Sequence, residues 1–166
     1  MNKKIVNTIL AFLPFYSAIS ASAESTTHVF DDWSVNCLIE NENSQKSCAM
    51  TQRGIDNQTG QTVFQLLLNK ESEKKLGLEV LVPLGVKLQA GVEIQVEKKK
   101  LLNIPFEACV NKGCVAKQRI SQNQQKFFIR GSTGVVLIKD LSNNEVKLPF
   151  SLNGFQKALN KLQTMK

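Results

Sequence analysis

The chain has little of the chemistry from which most enzymes are built. Its 166 residues include a single histidine, His28, and only four aspartates, Asp31, Asp32, Asp56 and Asp140. Hydrolases and metal enzymes draw mainly on histidine and on clustered carboxylates. His28 also lies in a segment where chains are usually loose, without an evident partner. We therefore predict a protein that is not an enzyme, with no catalytic residue, no metal site and no cofactor.

Long apolar runs are also scarce, and the one present lies at the N-terminus. Two lysines precede Ile5 to Ile19, and the small residues Ala21 to Ala23 follow, which is the order of a secretory signal peptide. The run is about 15 residues long and Pro14 interrupts it, whereas a bilayer span needs about 20. We predict that residues 1–23 are a cleaved signal peptide and that 24–166 form one domain without a transmembrane segment.

A signal peptide predicts a location outside the cytoplasm. That location is the periplasm, with the cell surface and the medium as further destinations. Removing two lysines and no acid lowers the formal net charge from +7 to +5. The cations are scattered along the chain, and an exported protein is separated from the nucleic acids of the cell. We therefore predict no nucleic-acid partner.

The four cysteines all lie in the predicted mature part, and an even number in an oxidising compartment favours two disulfides. Cys109 and Cys114 flank a turn-forming Asn-Lys-Gly, and Cys37 and Cys48 lie on either side of the polar stretch 40–46. We predict the local pairs Cys37 with Cys48 and Cys109 with Cys114. The alternative is a zinc site made of all four thiolates, which export and the wide first spacing disfavour.

Most of the mature chain shows the period-two pattern of half-buried strands. Trp33, Val35 and Cys37 alternate with polar residues, and Leu76 to Val82 repeats the pattern. Further short β-type runs are Val63 to Leu68, Lys126 to Arg130, Val135 to Lys139 and Val146 to Phe150. About nine or ten strands without a long helical period between them predict an antiparallel sandwich or barrel.

The last segment changes to helical spacing. Phe155, Ala158, Leu159 and Leu162 fall on one face, and Ser151 is a plausible N-cap. This pattern predicts a short C-terminal α-helix that covers the sandwich. A partner-binding helix is the alternative.

The chain resembles the invasion-associated locus B family of exported bacterial proteins. The similar parts are Asp31-Asp32-Trp33 with Cys37, Cys48-Ala49-Met50, Pro83 to Val92, Pro105 to Ala116 and Leu152 to Leu159. The resemblance implies an immunoglobulin-like antiparallel β-sandwich, located outside the cytoplasm of Gram-negative bacteria and associated with entry into or colonisation of host cells. It implies no catalytic residue. The family name describes a phenotype and does not specify a molecular activity.

Two surface features are candidates for contact with a partner. Lys98, Lys99 and Lys100 lie between a strand ending near Val96 and one beginning near Leu101, so we expect a solvated loop. The loop is either a basic contact surface or a turn kept soluble by lysine. If Phe127-Phe128 belongs to a strand, its rings lie on opposite faces, one in the core and one exposed.

Two functions fit these features. The first is an exported, disulfide-bonded protein that acts in host-cell invasion or colonisation through contacts with a surface protein or acidic glycan. The second is a periplasmic binding or assembly factor that lends a sheet edge to an extended segment of an envelope protein.

Overall fold

The computed structural model describes residues 24–39, 46–72 and 74–165, and the predicted signal peptide 1–23 lies outside them. The described part forms eleven strands, one 3₁₀ turn (Leu88–Ala90) and two α-helices. The strands are β1 (Glu24–Phe30), β2 (Trp33–Ile39), β3 (Ser47–Ile55), β4 (Thr62–Ser72), β5 (Lys75–Val82), β6 (Val92–Val96), β7 (Lys99–Ile104), β8 (Phe106–Val110), β9 (Gly113–Ile120), β10 (Thr133–Lys139) and β11 (Glu145–Ser151). The helices are α1 (Gln122–Arg130) and α2 (Phe155–Thr164).

The strands form two sheets in which every strand pair is antiparallel. The larger sheet has the order β1-β2-β3-β4-β5-β9-β8, and the smaller has the order β11-β10-β6-β7. Strands consecutive in the chain are mostly neighbours because short turns join them, as antiparallel pairing allows. The predicted antiparallel all-β class with a short C-terminal helix is confirmed.

The core lies between the inner faces of the two sheets and the helices. The alternating residues of β2 and β5 point inward, so that Trp33, Val35, Leu76 and Leu78 are all buried. Trp33 meets Phe155 of α2 edge to face with 5.1 Å between ring centroids. Its Nε1 donates a hydrogen bond to the Ser151 carbonyl at 3.0 Å, which satisfies the buried indole.

Helix α2 covers the larger sheet, where it packs against β1, β2, β3 and β4. Its apolar stripe of Phe155, Ala158, Leu159 and Leu162 is buried, as predicted for a helix that covers the sandwich. The predicted N-cap is wrong: Ser151 ends β11, and the helix is capped at Gly154.

Two local features explain where α2 begins. The Ser151 N–H donates to Gln52 Oε1 at 3.0 Å, which holds Ser151 in the strand. Gly154 has φ 83°, and a Cβ there would collide with the Phe30 carbonyl. Glycine fits both the positive φ and the narrow space beside the Phe30 carbonyl. The chain therefore enters the helix at Gly154.

The β-type run Lys126 to Arg130 is a helix, so the predicted strand is wrong. Ser121 caps α1 in a capping box with Gln124, each side chain bonding the backbone N–H of the other. Phe128 is buried, and its ring stacks on Phe155 with 5.4 Å between centroids. The cap and the helical spacing of the buried residues outweigh the strand propensity of adjacent aromatics.

The segment before Trp33 is ordered, which corrects the expectation of a loose chain around His28. It forms β1, which pairs with β2 over its whole length, from Glu24 opposite Ile39 to Phe30 opposite Trp33. A two-residue turn at Asp31 and Asp32 closes this hairpin, and Asp31 adopts φ 51°.

Candidate functional site

The three lysines of the basic run occupy different structural positions. Glu97 and Lys98 form the turn between β6 and β7, with φ 49° and 63°, the left-handed pair typical of a tight hairpin. Lys99 and Lys100 are already in β7. The predicted loop over Lys98 to Lys100 is therefore wrong for two of its three residues.

A bulge at Leu101 in β7 determines which way Lys99 and Lys100 face. Ile94 lies opposite Leu102, but Gln95 lies opposite Lys100, so one extra residue is inserted between them. Lys100 consequently shares the outer face with Glu93 and forms a salt bridge with it at 2.6 Å. The Gln95 amide and then Lys100 lower the pKa of Glu93. Lys100 is thus engaged within the sheet and is not part of a free basic surface.

Lys99 faces the other way, toward α1. It lies opposite Val96, whose side chain is buried in the core. Together with residues of α1 it lines an open cleft of about 370 Å³, which we call the α1 cleft. The residues that line this cleft are Val96, Glu97, Lys99, Asn123, Lys126, Phe127, Arg130 and Gly131.

Helix α1 presents one of its faces to this cleft. Asn123, Lys126, Phe127 and Arg130 recur at intervals of three and four residues, the spacing of a single helical face. The opposite face is buried through Gln125 and Phe128. The sequence predicts one buried and one exposed ring in the Phe127-Phe128 pair. The structure has this arrangement, but the two residues lie in a helix and not in a strand.

The α1 cleft combines an exposed aromatic ring with unpaired cations. Phe127 is 49% exposed. Lys99, Lys126 and Arg130 surround it, and none of them forms a salt bridge with a carboxylate of the described residues. Among the described residues, the Lys126 ammonium donates a 3.3 Å hydrogen bond to Asn123 Oδ1. This arrangement is suited to a partner that carries both an anionic group and an apolar group.

Glu97 fastens the β6–β7 turn to the chain that follows α1. Its Oε1 accepts hydrogen bonds from the backbone N–H groups of Ser132 at 2.6 Å and Thr133 at 3.1 Å. These bonds lower the pKa of Glu97 below its ordinary value. The Glu97 N–H in turn donates to the Thr133 carbonyl at 3.2 Å. The β6–β7 turn is therefore held to the chain that follows α1 by the Glu97 carboxylate and by one backbone hydrogen bond.

Two disulfides each join residues that lie directly opposite in neighbouring strands. Cys37 and Cys48 link β2 to β3 with 4.1 Å between Cα atoms, and Cys109 and Cys114 link β8 to β9 with 3.9 Å. The first is covered by Met165, whose Sδ lies 2.9 Å from Cys37 Sγ. The second reaches the surface, because Cys109 is exposed.

The sheet edges differ in how they are protected from pairing with another chain. Edge strand β8 has a register irregularity, β7 has a bulge and two lysines, and β11 contains Pro149 and Lys147. Such bulges, prolines and lysines hinder pairing with another strand. Edge strand β1 pairs with β2 without a bulge and contains neither proline nor lysine. Of the four edges in the described residues, β1 is the one best suited to accept a further strand.

The described residues contain no group of three histidine, cysteine or carboxylate side chains able to hold a metal ion. His28 lies within edge strand β1, half-buried. His28 is not among the residues that line the α1 cleft.

A family model described as "Invasion associated locus B (IalB) protein" matches residues 33–163, which span both sheets and both helices. The chain belongs to this family. An invasion protein B homolog of Brucella abortus (strain 2308) is 26% identical over 152 residues, covering 91% of this chain and 87% of that protein. Invasion protein B of Bartonella bacilliformis is 22% identical over 156 residues, covering 92% and 82%.

A solved IalB-family structure has the same fold. The crystal structure of invasion associated protein b from Bartonella henselae superposes with a TM-score of 0.75 at 23% identity, over 82% of this chain and 94% of that one. None of the helices in the described ranges of this IalB-family chain has the length and apolarity needed to cross a bilayer.

Proposed function

We propose that this IalB-family protein is exported, is not an enzyme, and contributes to host-cell invasion or colonisation by binding an anionic partner in its α1 cleft. The partner is a protein or acidic glycan of the cell surface. The observation that carries the proposal is the half-exposed ring of Phe127 among Lys99, Lys126 and Arg130, which have no carboxylate partner in the described part of the chain.

The chemistry of these groups defines what they bind. The Arg130 guanidinium has a planar fork of donors that matches a carboxylate or sulfate, and the two ammonium groups add mobile donors. The Phe127 ring and the aliphatic stems of the lysines offer apolar surface beside these charges. An anionic group held next to a sugar ring or an apolar side chain satisfies both parts of the α1 cleft.

Export is supported by the leader-like segment 1–23 and by two disulfides, which persist in oxidising compartments. We propose cleavage after Ala23, which leaves Glu24 as the first mature residue and 24–166 as a single domain. N-terminal sequencing of the protein recovered from cells tests this part of the proposal. A mature chain that starts at any residue other than Glu24 would contradict it.

The binding proposal is tested with two triple variants that remove the same charge from different places. The cleft variant is Lys99→Gln, Lys126→Gln and Arg130→Gln. The control is Arg53→Gln, Lys112→Gln and Lys139→Gln, which removes one arginine and two lysines from exposed positions outside the α1 cleft. Binding of both variants to cultured host cells and to immobilised heparin is compared with that of the wild type.

We expect the cleft variant to lose on the order of tenfold in affinity, since exposed ion pairs contribute about 0.2 to 1 kcal/mol each and a loss of about 1.4 kcal/mol in total is a factor of ten. We expect the control to bind as the wild type does. Equal losses in both variants would show that net charge alone governs binding, and would contradict a role for the α1 cleft.

The second candidate function is a periplasmic assembly factor, and the unprotected edge of β1 favours it. Fractionating cells into periplasm, outer membrane and medium separates the two functions. Protein found only in the periplasm supports the assembly factor, and protein at the cell surface or in the medium supports contact with the host.

A further inference from the structure

No strand of the described residues pairs with the outer edge of β1, which leaves a defined set of backbone groups there for pairing. The Cα atoms of Cys37 and Cys48 are 4.1 Å apart, which matches the close spacing of about 4.5 Å in a non-hydrogen-bonded antiparallel pair. The N–H and C=O of Cys37 therefore point away from β3 and toward β1, where Thr26 lies opposite. Thr26 thus forms a hydrogen-bonded pair with β2.

The N–H and C=O groups of successive residues in a strand point to opposite sides, so the direction of these groups is fixed for all the other residues of β1. Thr26, His28 and Phe30 bond to β2, so Ser25, Thr27 and Val29 direct their N–H and C=O groups outward. The two-residue turn after Phe30 leads to the same assignment. The pair that closes such a hairpin is hydrogen-bonded, and here it is Phe30 with Trp33.

We propose that two copies of this chain pair through β1, antiparallel and with Thr27 on the two-fold axis. In this register Thr27 lies opposite itself and Ser25 lies opposite Val29 of the second copy. Each of these pairs exchanges two backbone hydrogen bonds, so all the outward groups of Ser25, Thr27 and Val29 are satisfied. The two larger sheets become one continuous sheet with an isologous interface.

Other registers use this edge less completely. Centring the pair on Thr26 would leave the outward groups of Val29 without a partner in β1, and centring it on His28 would leave those of Ser25 without one. Centring it on Ser25 or Val29 would leave part of the outward groups without a partner. The register centred on Thr27 is therefore the one in which β1 complements itself.

The side chains also fit pairing with a second copy. The exposed side chains of β1 between its ends are Ser25, Thr27 and Val29, and Val29 is 71% exposed. None carries a charge, so the pairing opposes no like charges on that face. Self-pairing covers Val29, an apolar side chain that is otherwise left in water.

An unsatisfied hydroxyl on the other face points to the same partner. Thr26 Oγ1 is buried and has no hydrogen-bond partner among the described residues. In the proposed register Thr26 lies opposite His28 of the second copy in a non-hydrogen-bonded pair, where side chains come closest. An imidazole nitrogen can donate to or accept from a hydroxyl. A rotation of the Thr26 side chain on pairing would bring its hydroxyl to that imidazole, a partner that the described residues of a single chain do not supply.

The test removes one outward donor without touching the β1–β2 ladder. Thr27→Pro deletes an N–H that points to solvent in the single chain, a place where an edge strand tolerates proline. Thr27→Val is the matched control, because it keeps the N–H and loses the same 2.9 Å side-chain bond to Asn36 that Thr27→Pro loses. The protein is expressed with its leader, the processed form is purified, and sedimentation velocity is measured over a wide range of concentration.

We expect the wild type and Thr27→Val to form dimers with rising concentration and Thr27→Pro to remain monomeric with an unchanged melting temperature. A nitroxide label at Thr27→Cys measures the register directly and does not depend on the folding of the proline variant. A short label-to-label distance there, and a long one for a label at Ser142→Cys, is expected. Wild-type protein that is monomeric at every concentration, including protein that binds an extended peptide instead, would overturn the proposal.

Discussion

Phe127 and Phe128 are adjacent in the chain but lie on opposite sides of α1. Phe127 is 49% exposed in the α1 cleft, whereas Phe128 is 1% exposed and stacks on Phe155. One ring is therefore available to a partner, and the other belongs to the core.

This difference predicts opposite outcomes for two neighbouring substitutions. Phe128→Ala should lower the free energy of unfolding by about 3 to 5 kcal/mol, as truncation of a buried aromatic does. Phe127→Ala should leave stability nearly unchanged and weaken binding to host cells. Denaturant unfolding and cell binding are measured for both variants. A large loss of stability in Phe127→Ala would show that the exposed ring is structural.

The ring of Phe155 joins α2 to the rest of the core through Trp33 and Phe128. We expect Phe155→Ala to cost about 3 to 5 kcal/mol of unfolding free energy. Lys157→Ala is the control on the same helix, because its ion pair with Asp31 at 3.1 Å is exposed and contributes little. A Phe155→Ala variant that melts like the wild type but no longer binds its partner would make α2 an interaction helix.

The two disulfides should differ in their reaction with a reducing agent. Cys109 is exposed on edge strand β8, whereas Cys37 is 1% exposed and lies under Met165. We expect the Cys109–Cys114 bond to be reduced first, as followed by alkylation and peptide mapping. The map of the unreduced protein should contain no free thiol. A peptide linking Cys37 to Cys114 would contradict the local pairing.

Acidification should weaken the β6–β7 turn through Glu97. Hydrogen bonds from the backbone N–H groups of Ser132 and Thr133 lower the pKa of Glu97 in the folded state. A lowered pKa stabilises the fold above the unfolded-state value of about 4.3, and the effect is lost as pH falls through the folded-state pKa. The difference in melting temperature between wild type and Glu97→Gln should be constant at neutral pH and shrink below about pH 4.3. A difference that does not change with pH would exclude the carboxylate as its source.

The sequence predicted the parts of the fold that depend on local pattern. The period-two residues of β2 and β5, and the helical stripe of α2, are buried as expected because one face of each element must leave water. It did not predict α1, since Phe127-Phe128-Ile129 has strand propensity and the deciding signal was the capping pair Ser121 and Gln124.

The candidate site depends on contacts between distant parts of the chain, which pattern alone does not show. The lysine run is visible in the sequence, but the bulge that turns Lys99 toward α1 and Lys100 toward Glu93 is a property of strand pairing. The sequence predicts a strand over Lys126 to Arg130, whereas the helix found there places Lys126 and Arg130 on one cleft with Lys99. The spacing of Asn123, Lys126, Phe127 and Arg130 was the available signal for a shared helical face.

The salt dependence of binding tests the central claim most directly, that the cations of the α1 cleft hold an anionic partner. Affinity for immobilised heparin is measured against NaCl concentration for the wild type, the cleft variant (Lys99→Gln, Lys126→Gln, Arg130→Gln) and the control variant (Arg53→Gln, Lys112→Gln, Lys139→Gln). Salt screens exposed charges beyond about 8 Å at physiological ionic strength. The account predicts a steep loss of affinity with salt for the wild type and the control, and a weak, shallow dependence for the cleft variant. The same steep dependence in all three proteins would contradict it.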